Sequence, residues 1–99
     1  MATFLNVDPR TLHLPSGRAT GADPAKLARQ IARHGKSTQG MPPILVTRGK
    51  DGALIINDGC TRATRVAKLL PGQTVTVEVT DDVADWDVSS FPTVGDKLP

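Results

Sequence analysis

The chain turns from a strand into a helix within one short stretch, Ile55-Ile56-Asn57-Asp58-Gly59-Cys60-Thr61-Arg62. Asp58-Gly59 breaks the apolar run, and residues 60–70 then repeat apolar side chains at helical spacing. The first N–H groups of a helix have no internal partner and carry partial positive charge, so such a helix start binds phosphate readily. The stretch therefore predicts an anion-binding junction. A tight turn followed by a solvated Arg62 is the alternative interpretation.

Upstream of this junction, the sequence predicts one more helix and a β-hairpin. Asp23 before Pro24 is typical of a helix start, and apolar residues at helical spacing extend that helix over about residues 24–34. Residues 44–47 and 53–57 are strand-like and flank Asp51-Gly52, a dipeptide typical of hairpin turns. Residues 11–21 contain Pro, Ser and Gly, so we expect a loop there.

The outer parts of the chain complete the predicted topology. Alternating valines predict a half-buried last strand over residues 74–80, and a short apolar start at residues 4–7 predicts the first strand. The element order is then β-α-β-β-α-β, an α+β domain with a mixed sheet and two main helices. A chain of 99 residues is expected to form a single domain over residues 1–99. Its core covers about residues 5–80, and residues 81–99 are expected to form an irregular acidic tail with one short helical turn.

The composition is typical of a globular domain with a lean core. Hydrophobic residues make up 38% of the chain and aromatic residues 3%, so the core must rest on aliphatic side chains. The longest apolar run, residues 53–56, is far short of the ~20 residues that span a membrane. A single cysteine excludes an internal disulfide, and no secretory signal is visible, so we expect a cytoplasmic protein without a membrane partner. A fragment of a longer chain would have the same features.

The charge is segregated along the chain. Residues 10–68 carry eleven Lys/Arg against three acids, a net charge of +8, whereas residues 69–99 carry six acids against one Lys, a net charge of −5. A basic body favours an anionic partner such as a phosphate, a nucleotide or a nucleic acid. Neutralisation of the basic body by the acidic tail within the fold is the alternative.

The candidate ligands of a phosphate or nucleotide are the glycine turn, its neighbours and three basic side chains: Lys26, Gly59, Cys60, Thr61, Arg62 and Arg65. Cys60 is also the candidate catalytic nucleophile, because a helix start and a nearby arginine favour the thiolate. A small buried side chain is the alternative for Cys60. Asp23, Asp51 and Asp58 are candidates to hold Mg²⁺ jointly with a phosphate, although aspartates at turns need no such role.

Three stretches together resemble the ParB N-terminal/sulfiredoxin-like superfamily: Asp23-Pro24-Ala25-Lys26, then Pro42-Pro43-Ile44 with Val46, then Gly59-Cys60-Thr61-Arg62. The resemblance covers about residues 5–80, and Gly-x-x-Arg at a strand-to-helix junction is that superfamily's phosphate-contacting motif. It implies the same small α+β fold.

The superfamily contains several activities. Sulfiredoxins use a Gly-Cys-His-Arg motif to reduce a cysteine sulfinic acid with ATP and Mg²⁺. Cys60 and Arg62 match the cysteine and arginine of that motif, and Thr61 replaces the histidine. Lys26 matches a phosphate-contacting lysine of the family, and Arg29 stands in place of a phosphate-contacting serine. ParB-like proteins bind CTP and regulate DNA clamping, but here Cys60-Thr61 replaces their Glu-Arg and no helix-turn-helix module follows. Other members are kinases, nucleases or toxin-like modules.

The resemblance and the basic junction together favour a nucleotide-phosphate-binding domain. We expect ATP or CTP with Mg²⁺ as the ligand, and phosphoryl transfer or NTP hydrolysis as the activity. One alternative is a sulfiredoxin-like sulfinic acid reductase that uses Cys60 and a protein partner. Another is a ParB-like DNA-binding or nuclease module, and a third is a degenerate copy that binds only a partner protein.

Overall fold

A four-stranded mixed sheet and two helices form the fold in a computed structural model, which describes residues 2–99. Along the chain these elements are β1 (Thr3–Val7), α1 (Pro24–His34), β2 (Ile44–Arg48), β3 (Leu54–Asp58), α2 (Cys60–Leu69) and β4 (Val75–Asp82). Short 3₁₀ turns occur at Pro9–Thr11, Ser16–Arg18, Lys50–Gly52 and Gly95–Lys97. The predicted α+β class, mixed sheet and two helices are confirmed.

The strands lie in the order β1-β4-β2-β3. β4 is antiparallel to β1 and parallel to β2, and β2 is antiparallel to β3. The predicted hairpin is therefore β2 and β3, joined through the Lys50–Gly52 turn, in which Asp51 adopts a left-handed φ of 60°. The chain then crosses from β3 through α2 to β4, so the start of α2 lies at the end of the edge strand β3.

The last strand is longer than the sequence predicted, because it continues to Asp82 instead of ending at residue 80. In the parallel pair with β2, Arg48 lies opposite Asp82, and Arg48 Nη2 donates to Asp82 Oδ2 at 2.6 Å. This ion pair joins Asp82 to the neighbouring strand at a place where the charge pattern alone indicated the start of the tail, and Asp81 lies opposite Thr47.

The predicted loop at residues 11–21 is anchored in the core. Leu12 and Leu14 are fully buried. The N–H of His13 donates to the Leu54 carbonyl of β3 at 2.9 Å, and on the other side the N–H of Val94 donates to the Leu12 carbonyl at 2.8 Å. The loop is therefore held between β3 and the acidic tail. After Asp82 the tail is irregular apart from the 3₁₀ turn at Gly95–Lys97, as the sequence predicted.

The two helices bury different amounts of their surface. α2 buries six of its ten residues, including Ala63, Val66 and Ala67, and packs on the sheet. α1 buries only Leu27, because its apolar stripe is narrow and the rest of its surface is basic or small. Most of the surface of α1 is consequently exposed beside the start of α2. No helix within residues 2–99 combines the length and apolar character that crossing a membrane requires.

Candidate phosphate-binding site

A cavity of about 280 Å³ lies where β3 passes into α2, beside the start of α1. It contains five of the six predicted ligand residues and five further residues. The lining residues are Pro15, Arg18, Lys26, Gln30, Asn57, Asp58, Gly59, Cys60, Thr61 and Arg62. Three cationic side chains and one carboxylate therefore surround the opening, which gives it a net positive charge.

The start of α2 is open to a ligand. Gly59 is its N-cap residue, with φ 111° and ψ 20°, and no side chain caps the first N–H groups. Those N–H groups have no partner within the helix and point toward its start, so they offer hydrogen bonds to an anion there. The left-handed φ at Gly59 is one that other residues adopt only with strain.

The start of α1 is already occupied by its own cap. The carboxylate of Asp23 accepts from the N–H groups of Ala25 at 2.9 Å and Lys26 at 3.4 Å. The hydrogen bonds from Lys26 and Ala25 hold the pKa of the Asp23 carboxyl below its ordinary value. The two helix starts therefore differ, since α1 contributes the Lys26 side chain to the cavity and α2 contributes its backbone.

Arg62 is folded against the turn from which α2 begins. Its side chain is 19% exposed; Nη2 donates to the Pro43 carbonyl at 3.2 Å and lies 3.7 Å from Asp58 Oδ2. Nε is buried and has no hydrogen-bond partner among residues 2–99. The guanidinium is therefore only partly satisfied by Pro43 and Asp58, and a buried N–H without a partner is costly.

Arg18 is a cavity residue that the sequence did not reveal. It ends the Ser16–Arg18 turn in the loop before α1 and lines the cavity beside Pro15. After burial, which raises the pKa of Cys60, the charge of Arg18 is the next largest effect on that thiol and lowers its pKa; for Asp23 it is the smallest of the effects that lower the pKa. The alternation of Leu12 and Leu14 around His13 is the sequence signal that this loop is anchored, and an anchored loop can position Arg18.

Cys60 lines the cavity and also belongs to the hydrophobic core, with 9% of the residue exposed. Burial raises the pKa of this thiol above its ordinary value, and the opposing effect of Arg18 is smaller. The neutral thiol is therefore the dominant form near pH 7. This environment favours the small buried side chain over the thiolate nucleophile.

Arg65, the sixth predicted ligand residue, does not line the cavity. Its Nη1 donates to the carbonyls of Gly35 at 2.9 Å and Ser37 at 2.8 Å, and its Nε donates to Gln30 Oε1 at 3.3 Å. Only 2% of the residue is exposed. Arg65 therefore connects α2 to the carboxyl end of α1, where a cation stabilises the helix.

The three candidate magnesium ligands are not gathered in one place. Asp58 lines the cavity with a side chain that is 69% exposed, Asp23 caps α1, and Asp51 lies in the β2–β3 turn. Within residues 2–99 no three His, Cys, Asp or Glu side chains form a metal-binding group. A Mg²⁺ ion held by Asp58 together with phosphate oxygens and water fits the usual chemistry of this ion.

The chain matches no model of a known protein family and no curated protein.

Proposed function

We propose that the cavity binds the phosphate groups of a nucleotide, with ATP and CTP as the candidates. The observation that carries this proposal is the convergence of Arg18, Lys26 and Arg62 on the uncapped start of α2 at Gly59. A cavity with three cations, one carboxylate and free backbone donors is complementary to a polyphosphate. The resemblance of residues 59–62 to a phosphate-contacting Gly-x-x-Arg motif supports the same ligand.

Each group has a distinct part in this proposal. The first N–H groups of α2 and the hydroxyl of Thr61 donate to phosphate oxygens, and the guanidinium of Arg62 adds its charge beside them. Lys26 from α1 and Arg18 from the loop before it neutralise further phosphate charge. Asp58 supplies the carboxylate that would hold Mg²⁺ against the phosphates, and Mg²⁺ when bound would neutralise their remaining charge.

Binding has more support than catalysis. Phosphoryl transfer depends mainly on positioning and charge stabilisation, which this cavity provides. A group that positions or deprotonates the attacking nucleophile is also needed, and Asp58, the one carboxylate among the lining residues, is already assigned to Mg²⁺. We therefore place nucleotide binding first, and phosphoryl transfer or hydrolysis, for which the lining offers no second carboxylate, second.

A thermal-shift screen with ATP, CTP, ADP and pyrophosphate, each with and without Mg²⁺, tests this proposal. A ligand that binds only the native state raises the melting temperature, by an amount that grows with its concentration. We expect a shift for wild type and a strongly reduced shift for the double variant Arg18→Gln/Lys26→Gln. The double variant Arg10→Gln/Lys50→Gln removes the same charge from residues that do not line the cavity, and it should behave as wild type. No shift for wild type with any of these ligands would refute the proposal.

A further inference from the structure

The outer surface of α1 carries a row of cations that we call the basic stripe: Lys26, Arg29 and Arg33. These residues are exposed and lie three and four positions apart, so their side chains share one face of the helix. α1 contains no acidic residue. Within residues 2–99 the two ion pairs are Arg48–Asp82 and Arg62–Asp58, so no carboxylate of the described chain forms an ion pair with the stripe. Asp23, the N-cap residue of α1, interacts with the charge of Lys26 at one end of the stripe.

The basic stripe is continuous with the phosphate cavity. A second depression of about 330 Å³ is lined by the stripe together with Gln30, His34 and Thr61. Lys26, Gln30 and Thr61 line both this depression and the phosphate cavity. The cavity is therefore one end of a longer basic surface that follows α1 toward its carboxyl end.

The length of the stripe exceeds what one nucleotide needs. Lys26 and Arg33 are seven positions apart, which corresponds to about 10 Å along a helix axis. Phosphates of one strand advance about 3.4 Å per nucleotide along the axis of a B-form duplex and lie farther apart than that along the strand itself, so the stripe reaches past at least one internucleotide step. An anion that extends beyond the cavity by several phosphates would contact all three cations.

The surface is suited to a sugar-phosphate backbone and not to stacked bases. The aromatic residues Phe4, Trp86 and Phe91 line neither depression. Backbone contacts from Lys and Arg position a nucleic acid without reading its sequence. In the cavity, the uncapped N–H groups at the start of α2 lie beside cationic side chains. A terminal phosphomonoester carries nearly twice the charge of a phosphodiester and therefore gains more binding free energy from these groups.

We propose that the ligand is an oligonucleotide that ends in a phosphate. The terminal phosphomonoester occupies the cavity formed by Arg18, Arg62 and the start of α2, and the following phosphodiesters lie along the basic stripe. This inference rests on the proposed function, because it requires the cavity to bind phosphate. It adds the class of ligand, which is a phosphorylated nucleic-acid end and not only a free nucleotide.

Fluorescence anisotropy with labelled 12-residue oligonucleotides tests the inference. The probes are single strands with a 5′-phosphate, a 3′-phosphate or no terminal phosphate, and a blunt duplex with 5′-phosphates, each labelled away from the phosphorylated end. We expect wild type to bind one phosphorylated end at least about tenfold more tightly than the unphosphorylated strand, which corresponds to about 1.4 kcal/mol. The 5′ and 3′ arms identify which end is bound, and the duplex arm shows whether pairing is tolerated.

Two variants separate the cavity from the stripe. Arg62→Gln should abolish the preference for a phosphorylated end. Arg29→Gln/Arg33→Gln should weaken oligonucleotide binding and lower the slope of log K against log salt by about 1.4, at ~0.7 per phosphate contact for single strands. The stripe variant should leave the thermal shift with mononucleotides unchanged. Arg10→Gln/Lys50→Gln controls for the loss of two positive charges.

Failure of the inference is distinguishable from failure of the proposed function. Mononucleotide binding without any preference for a phosphorylated end, or equal oligonucleotide binding by the stripe variant and the charge control, would overturn the inference alone. If wild type binds neither mononucleotides nor oligonucleotides, the inference and the proposed function are both overturned. Stripe-dependent binding to phosphatidylserine vesicles, with no oligonucleotide binding, would assign the stripe to a membrane surface and also overturn the inference.

Discussion

The guanidinium of Arg62 fills the space beside the α-carbon of Gly59, so that a β-carbon at position 59 would lie 2.8 Å from Arg62 Nη2. The same β-carbon would lie 3.1 Å from Cγ1 of Ile44. The turn and the arginine therefore depend on each other, because the turn needs a residue without a side chain and the arginine occupies the space that this leaves. The proposed phosphate site is built on this pair.

Replacing Gly59 by alanine should disturb both stability and the site. A residue with a side chain at φ 111° is strained by about 1–3 kcal/mol, and the new methyl group would displace the Arg62 guanidinium. We expect Gly59→Ala to lower the free energy of unfolding in urea by about that amount and to abolish the nucleotide-induced thermal shift. Gly17→Ala is the matched control, since a β-carbon at Gly17 meets nothing within 4 Å. Equal stability of the two variants would contradict the described turn.

Arg18 should contribute to ligand affinity although it lies outside the helix starts. A hydrogen bond to a charged group contributes about 1.5–3 kcal/mol, so we expect Arg18→Gln to weaken nucleotide binding by about tenfold or more. Calorimetric titration measures the affinity. Because Arg18 is on a partly exposed turn, the fold should be retained, which circular dichroism and the melting temperature would check. Unchanged affinity would exclude Arg18 from the site.

The thiol of Cys60 should react slowly. Burial raises its pKa above the ordinary value of 9.0, so the thiolate is scarce at pH 7 and the sulfur is shielded. We expect labelling by iodoacetamide at pH 7 to be slower than that of free cysteine, and to reach the free rate in denaturant. Labelling faster than free cysteine would instead favour the sulfinic acid reductase, in which Cys60 is the nucleophile.

The same burial predicts a pH dependence of stability. The folded state holds the Cys60 proton more tightly than the unfolded state does, so the unfolded state releases it first as the pH rises. The contribution of the protonated thiol to stability is present below pH 9.0 and is lost as the pH rises above that value. Cys60→Ala should flatten this alkaline part of the profile, and an unchanged profile would show that Cys60 is not responsible for it.

The Asp23 cap should stabilise α1, and because its carboxylate occupies the N–H groups of Ala25 and Lys26, we expect those N–H groups not to bind the ligand. Asp23→Ala removes the acceptor for the N–H groups of Ala25 and Lys26 and should lower the melting temperature, whereas Asp23→Asn keeps an acceptor and should lower it less. Because folding lowers the pKa of Asp23, its contribution is present above the ordinary value of 3.8 and is lost as the pH falls through the folded value. Equal melting temperatures for Asp23→Ala and wild type at pH 7 would contradict this role.

Local patterns predicted the elements well, and contacts between distant parts of the chain account for the differences. Asp23-Pro24 predicted the start of α1, which begins at Pro24, and Asp58-Gly59 predicted the start of α2, which begins at Cys60. The strand order could not be read from these signals, because pairing is decided between residues far apart in sequence. The extension of β4 to Asp82 likewise depends on Arg48, which lies 34 positions earlier.

The same distinction between local patterns and distant contacts applies to the site residues. Gly59, Thr61 and Arg62 are adjacent in sequence, so their grouping was predictable from the junction alone. Arg65 lies on the same helix, yet its partners are backbone carbonyls 28 and 30 positions away. A local sequence pattern does not predict such distant partners, so the sequence did not show that Arg65 lies outside the cavity. Arg18 reaches the cavity because Leu12 and Leu14 anchor its loop in the core, an effect of tertiary packing.

Calorimetric titration of Mg²⁺-ATP and Mg²⁺-CTP into wild type, Arg62→Gln and Lys50→Gln is the decisive test of the phosphate site. We expect saturable binding of at least one nucleotide to wild type and Lys50→Gln, and a loss of affinity of at least tenfold in a folded Arg62→Gln variant. Binding of the same affinity to all three proteins, or to none of them, would contradict this expectation.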